Sequence, residues 1–199
     1  AAAARRLAGR GHCAATSSNF SARLSGDRFL VSKSGLDKMD LGPRDFVVVD
    51  AVGRVVADTG DSDEAARASA ETMLHLTVYA ARDARTVIHA HPVSAAVISR
   101  AHAAAGEVRT SGWEMLKALA GVETHEHEER VPIVDNGQDM RAVSAAVRAR
   151  LDEHPGAHAV LLAGHGVYTW GRSVAEAVRH AEALDHLFEC ELRRGALAR

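Results

Sequence analysis

Cysteines, aromatic side chains and any surplus of one charge are all scarce in this 199-residue chain. Cys13 and Cys190 stand far apart, outside any C-x-x-C spacing, which excludes a disulfide framework and a cysteine-built zinc knuckle and leaves two ordinary core or surface thiols. The 24 Lys and Arg are interspersed with 26 Asp and Glu, for a formal net charge of -2. Without a basic stripe to neutralise a phosphodiester backbone, no nucleic acid partner is expected. No apolar run reaches the roughly 20 residues of a bilayer-crossing helix, and the Ala-rich start AAAARRLAGR lacks the apolar centre of a signal peptide. The expectation is a cytoplasmic protein with no membrane partner.

Against these absences stand a 47% hydrophobic content and 12 histidines. The length suits one substantial core, so residues 1–199 read as a single domain. After a short N-terminal helix, the β-rich runs Arg28 to Ser32 and Asp45 to Asp50 predict strands separated by Gly35 and Gly42-Pro43. Glu64 to Arg82 presents Met73, Leu74, Val78 and Ala81 on one face of a helix expected to begin near Ser69. Thr86 to His91 reads as a strand running into a helix at Pro92, and Trp113 to Ala120 as a short helix stopped by Gly121.

Val131 to Val134 predicts another strand, and Met140, Val143, Val147 and Leu151 a helical stripe. Two further strands, His158 to Ala163 and Val167 to Trp170, lead into the best-marked helix. Ser173 and Glu176 form its S-x-x-E box, with Val174, Val178, Ala181, Leu184, Leu187 and Phe188 along one face. Strands alternating with amphipathic helices imply an α/β fold whose central sheet is mixed and covered on both faces. The polar run GVETHEHEER, residues 121–130, is the expected mobile loop.

The question the 12 histidines raise is which of them converge. His89 and His91 are two apart in a predicted strand, so both imidazoles leave the same face with their Cα atoms about 6 to 7 Å apart, a half site for a metal. His165, in GHG between two predicted strands, sits in a tight turn where glycines allow close backbone approach. Three neutral imidazoles with an open fourth position describe a catalytic zinc centre; the alternative is a chance H-x-H pair and a polar turn.

Asn19, Ser34, Gly35 and Ser69 lie in short polar segments beside strands or at a helix start, where phosphate binds well and where turns and caps are also common. Glu71 and Glu114 each fall in the first turn of a predicted helix, as acid/base candidates or as solvated carboxylates favoured by the dipole. His125 and His127 share the H-x-H spacing but sit in a charged loop, while His75, His180 and His186 lie on predicted helices and suggest packing or surface roles. His12, His102, His154 and His158 have no motif around them.

Seven segments occur in order: ATSSNFSAR, VSKSGLDK, SAETMLH, VIHAHPVSAAVIS, GWEMLKAL, GHGVYTWGR and EALDHLFECELRR. Together they resemble the class II aldolase/adducin family from about Gly11 to Arg194. The resemblance implies a three-layer αβα sandwich, assembled as a homotetramer with sites near subunit boundaries, that acts on a phosphorylated sugar. It implies His89, His91 and His165 as zinc ligands; Asn19, Ser34, Gly35 and Ser69 at the substrate phosphate; and Glu71 where the family's aldolases carry a carboxylate that approaches the metal. Glu114, in GWEMLK, matches the acid/base of the family's dehydratases, which makes a hydro-lyase the preferred reading. An aldolase or epimerase for another ketose phosphate is the alternative, and a non-catalytic adducin-like scaffold a further one. Ser18 stands where many relatives have glycine, and Leu36 replaces a more usual lysine, so no phosphate role is carried to Leu36.

Overall fold

The computed structural model describes residues 1–60 and 68–197. Among these residues nine strands form one sheet in the order β4-β3-β2-β1-β5-β9-β8-β7-β6. They are β1 Asn19–Arg23, β2 Phe29–Ser32, β3 Phe46–Val49, β4 Val55–Asp58, β5 Thr86–Ala90, β6 Glu107–Thr110, β7 Glu129–Val134, β8 Ala159–Leu162 and β9 Gly166–Gly171. Among the described residues only β7 and β8 pair in parallel, joined by α4 (Met140–Glu153), and every other pairing is antiparallel, so the sheet is mixed as expected.

Alternation of side chains across the strands divides the core in two. On one face α2 (Thr72–Ala81) and α4 pack against Phe29, Val31, Val47, Val87, Val160, Tyr168 and Trp170. On the other lie α1 (Ala2–Ala8), α3 (Val93–Ala101) and α5 (Val174–Leu197) against the alternate positions, among them Phe20, Ile88, Ala159, Leu161 and Val167. The three-layer αβα sandwich is thus present. Among the described residues no helix is long and apolar enough to cross a membrane.

Caps set two of the helix starts. Asp139 Oδ1 accepts from the backbone N–H groups of Arg141 and Ala142 at 2.9 and 3.3 Å, opening α4. At α5, Ser173 Oγ accepts from Glu176 N–H at 3.1 Å, and the Glu176 carboxylate reaches back to Arg172 N–H, one residue earlier than a regular capping box.

Several expectations need correction. β1, β4 and β6 were not foreseen; each is only four or five residues long and too short or too polar to display a clear period of two. The helix expected from near Ser69 begins at Thr72, because the Ser69 carbonyl accepts Thr72 N–H in a tight turn, and the earlier part of that stretch, 64–67, lies outside the described residues. Met73 and Val174 are 39% and 48% exposed and do not join the buried stripes expected of them: Met73, between the buried Thr72 and Leu74, points off the packed face of α2, and Val174 opens α5 ahead of its first buried residue, Ala177. Trp113 to Ala120 contains a 3-10 turn, Glu114–Ala118, in place of an α-helix.

The run GVETHEHEER is pinned at both ends, contrary to the mobile loop expected. Glu129, 1% exposed, accepts from His158 Nδ1–H at 3.0 Å and from His127 Nε2–H at 3.1 Å. His158 Nε2–H donates to the Ala120 carbonyl at 2.8 Å, while the Ala120 N–H donates to His180 Nε2 at 3.0 Å. With both ring nitrogens donating, His158 is an imidazolium: burial lowers its pKa, but the Glu129 carboxylate outweighs that and raises it above the usual 6.5. A raised folded-state pKa contributes stability that is complete below the unfolded value and is lost as pH climbs through the folded one. The stability that His158→Gln costs relative to wild type is therefore expected to be largest near pH 6 and to shrink as the buffer is taken to about pH 9, as the difference between their melting temperatures in differential scanning fluorimetry would read.

Candidate metal centre

β5 and β9 run antiparallel with His89 opposite Tyr168 and Ala90 opposite Val167. The next pair brings His91, just past the end of β5, against Gly166, and so folds the turn carrying His165 over the end of β5. That approach requires glycine. A Cβ at Gly166 would collide with the Ala90 carbonyl and stand 2.9 Å from His91 Cδ2. Gly164, at φ +68, makes the preceding left-handed step.

The three imidazoles meet as the resemblance implied, with one ring nitrogen of each within 4.8 Å of the others. His89 Nδ1–H donates to the Val167 carbonyl at 3.1 Å, which leaves Nε2 a lone pair aimed at the cluster. His165 Nδ1–H donates to Asn136 Oδ1 at 3.2 Å with the same consequence. The His89 and His165 Nε2 atoms are 3.3 Å apart, the separation of two nitrogens bound at about 2.0 to 2.1 Å on a tetrahedral cation. His89 and His91 Nε2 are 2.7 Å apart, tighter by about half an ångström than that geometry asks.

Electrostatics suit a ligand set. Burial, then the neighbouring His91 and His165, push the pKa of His89 well below 6.5; burial, then His165 and Lys38, push that of His91 down to about 4. Both rings are therefore neutral near pH 7. His89 is also stacked on Tyr168, ring centroids 4.0 Å apart and 11° from parallel, which fixes its plane. These donors fit a divalent cation: three imidazoles, two of them oriented by a hydrogen bond on the opposite nitrogen, with a side left open to the cleft.

Glu71 caps α2 and turns its carboxylate into the same cluster, with Oε2 3.3 Å from His89 Nε2 and Oε1 3.5 Å from His165 Nε2. Asn19, opposite His89 on β1, donates through Nδ2 to Glu71 Oε2 at 2.7 Å and to Ser69 Oγ at 3.1 Å. A lone bridge between Lys33 and Ala68 sets the loop with Ser34 and Gly35, at φ +77, beside Ser69. Ser34, Ser69, Glu71, His91 and His165 line one cleft of 600 Å³.

Glu114 is not part of that cleft. It begins the 3-10 turn in the α5 layer, its side chain 73% exposed and paired with Lys117 Nζ at 2.5 Å, with His125 Nδ1 at 3.8 Å. Lys117 first, and His125 after it, hold its carboxyl below the ordinary value. Asn136, Gln138, Met140 and Tyr168 were missed by the sequence reading. Asn136-Gly137 is a turn dipeptide, but nothing local shows that the turn faces a histidine 29 residues on.

This combination of fold and centre is that of a family. The model of the class II aldolase and adducin N-terminal domain matches residues 1–192, and the chain belongs to the class II aldolase/adducin family. It is 42% identical over 198 residues to the methylthioribulose-1-phosphate dehydratase of Methylococcus capsulatus, covering 99% of this chain and 93% of that protein. Against the protein of that name from Marinobacter nauticus it is 44% identical over 191 residues, covering 96% of this chain and 89% of the other. Among solved structures it is similar to the l-fuculose-1-phosphate aldolase of Thermus thermophilus, at TM-score 0.77 and 26% identity over 99% of this chain and 93% of that one.

Loss of the Asn136 acceptor is expected to weaken divalent-cation binding, with added zinc as the probe, about 10- to 100-fold in Asn136→Ala, whereas His91→Ala abolishes it. Competition with a chromophoric chelator measures both.

Proposed function

We propose that this protein is a methylthioribulose-1-phosphate dehydratase, a zinc-dependent hydro-lyase of methionine salvage that removes water from 5-methylthioribulose 1-phosphate to give 2,3-diketo-5-methylthiopentyl 1-phosphate. The observation that carries the reading is the triad of His89, His91 and His165 at one cleft, in a chain more than 40% identical along nearly its whole length to proteins bearing that name.

A cation held by those histidines supplies electrophilic polarisation of the substrate's C2 carbonyl, acidifying the C3 hydrogen. The chain's own groups do the rest. Ser34, Gly35 and Ser69 offer the phosphate N–H and O–H donors, and Asn19, whose two amide N–H bonds go to Glu71 and Ser69, serves the phosphate by holding Ser69 in place. Glu114 removes the C3 proton and delivers it to the C4 hydroxyl as that group leaves as water; the resulting enol tautomerises to the diketone. Since Glu114 is exposed and lies outside the cleft of its own chain, it serves the site of a neighbouring copy, in a homotetramer. Glu71, facing His89 and His165, restricts how substrate oxygens approach the cation side of the cleft. Two free thiols, Cys13 and Cys190, accord with a reducing cytoplasm.

One observation favours a second reading. Glu71 stands beside the histidines, where the family resemblance places a carboxylate of its aldolases, and the chain is similar in fold to the l-fuculose-1-phosphate aldolase of Thermus thermophilus. Assays of the zinc-loaded protein on 5-methylthioribulose 1-phosphate and on l-fuculose 1-phosphate separate the two: water loss from the first supports the dehydratase, and cleavage of the second into two carbonyl fragments replaces it with an aldolase. Within the dehydratase reading, Glu114→Gln is expected to keep its zinc and lose at least about 100-fold in kcat. A near-normal rate in that variant removes Glu114 from the mechanism.

A further inference from the structure

His75 is fully buried in α2 and takes no part in the chemistry above. Its surroundings are unusual for a core residue. β1 is paired to β5 so that Asn19 and Ser21, two residues apart, both face α2, and the His75 ring spans them. Nδ1 lies 2.7 Å from Ser21 Oγ, Nε2 is hydrogen-bonded to Asn19 Oδ1, and Ser21 Oγ lies 2.9 Å from the Tyr79 hydroxyl.

The direction of every bond follows from one acceptor. A carboxylate has no proton to give, so the Asn19 atom 2.7 Å from Glu71 Oε2 is Nδ2. Asn19 Oδ1 then faces His75, whose Nε2 must carry the hydrogen. A neutral imidazole with Nε2–H accepts at Nδ1, so Ser21 donates there, and the Ser21 oxygen is left to accept from Tyr79. Burial supports both assumptions: it holds the His75 pKa down at about 3, so the ring is neutral, and pushes that of Tyr79 up to about 12, so the phenol keeps its proton.

We propose that His75 is a positioning residue, fixing the Asn19 side-chain amide so that its two N–H bonds hold Glu71 and Ser69 in place at the cleft. An asparagine amide can turn over by 180° with little change in shape. In the inverted orientation Asn19 would set Oδ1 against Glu71 and an anionic substrate, acceptor against acceptor. The Nε2–H of His75 makes that orientation the one without a partner, so a residue that touches neither substrate nor cation decides which face of Asn19 the cleft presents.

The inference rests on the cleft's being the substrate site, and its test can fail separately. The side chain of His75→Gln reaches about as far as Nε2 and can still donate to Asn19, whereas that of His75→Asn stops at the level of Nδ1. With 5-methylthioribulose 1-phosphate as substrate, His75→Gln is expected to keep KM within about threefold of wild type, and His75→Asn and His75→Leu to raise it more than about tenfold, with zinc content unchanged. Equal KM values for the Gln and Asn variants at matching melting temperatures overturn the proposal, whether or not His75→Leu folds. Independently of activity, 15N NMR of the histidine rings is expected to find His75 as the Nε2–H tautomer; an Nδ1–H tautomer overturns the proposal. If the zinc-loaded wild type does not turn over that substrate, the proposed function fails and the tautomer alone decides this one.

Discussion

The structure turns on the antiparallel register of β5 and β9. His89 and His91 leave one face of β5 because strand side chains alternate, but they become part of a centre only because β9 pairs with β5 at an offset that returns the His165 turn to the end of that strand. A slip of one residue would send His165 to the other face. Gly166 permits the close approach, and Tyr168, two residues further along β9, supplies the flat surface on which His89 rests. Register, a missing Cβ and a stacked ring act together within one short stretch of the same pairing.

The same buried interior treats histidine in two opposite ways, according to its partners. Around the cleft His89 and His91 face other imidazoles, so burial dominates and these two rings stay neutral, the state in which imidazole binds a metal. In the other layer His158 sits between a carboxylate and a carbonyl, both acceptors, and holds a proton there against the same desolvation. That pair does not touch the metal centre. It secures the stretch from Ala120 to Glu129, which follows directly on the turn bearing Glu114.

The separation of Glu114 from the triad is the feature of this fold with the largest consequence for the proposed reaction. The sheet lies between them in effect: Glu114 belongs to the layer of α5, and the cleft opens beside α2 and the start of α4. Under the proposed function, a reaction using both groups would need Glu114 from a neighbouring copy, while the histidines and Glu71 gather within one chain. One scaffold of histidines, on a fold this chain shares with an aldolase at 26% identity, can serve different bond-breaking steps according to which carboxylate approaches the substrate.

How much could be read without coordinates differs by element. The long stripe of α5, its Ser173 cap and the alternation around His89 and His91 are local patterns, repeated at the spacing of the structure they produce, and they were legible. So were the meeting of His89, His91 and His165 and the place of Ser34 and Ser69 at the same cleft, through an ordered set of motifs. β4 and β6 were not, since four residues carry too little periodicity, nor was the exposure of Met73, because apolar character alone does not say which of two adjacent positions, Met73 or Leu74, faces the sheet. The sequence by itself determined which residues could bind a metal and which strand face or helix side each would leave. Only the tertiary structure decided that Asn136 orients His165, that His75 orients Asn19 and that Glu114 lies apart, because those relations join groups 29 to 56 residues distant, or separate them, through strand register and layer packing that no local pattern encodes.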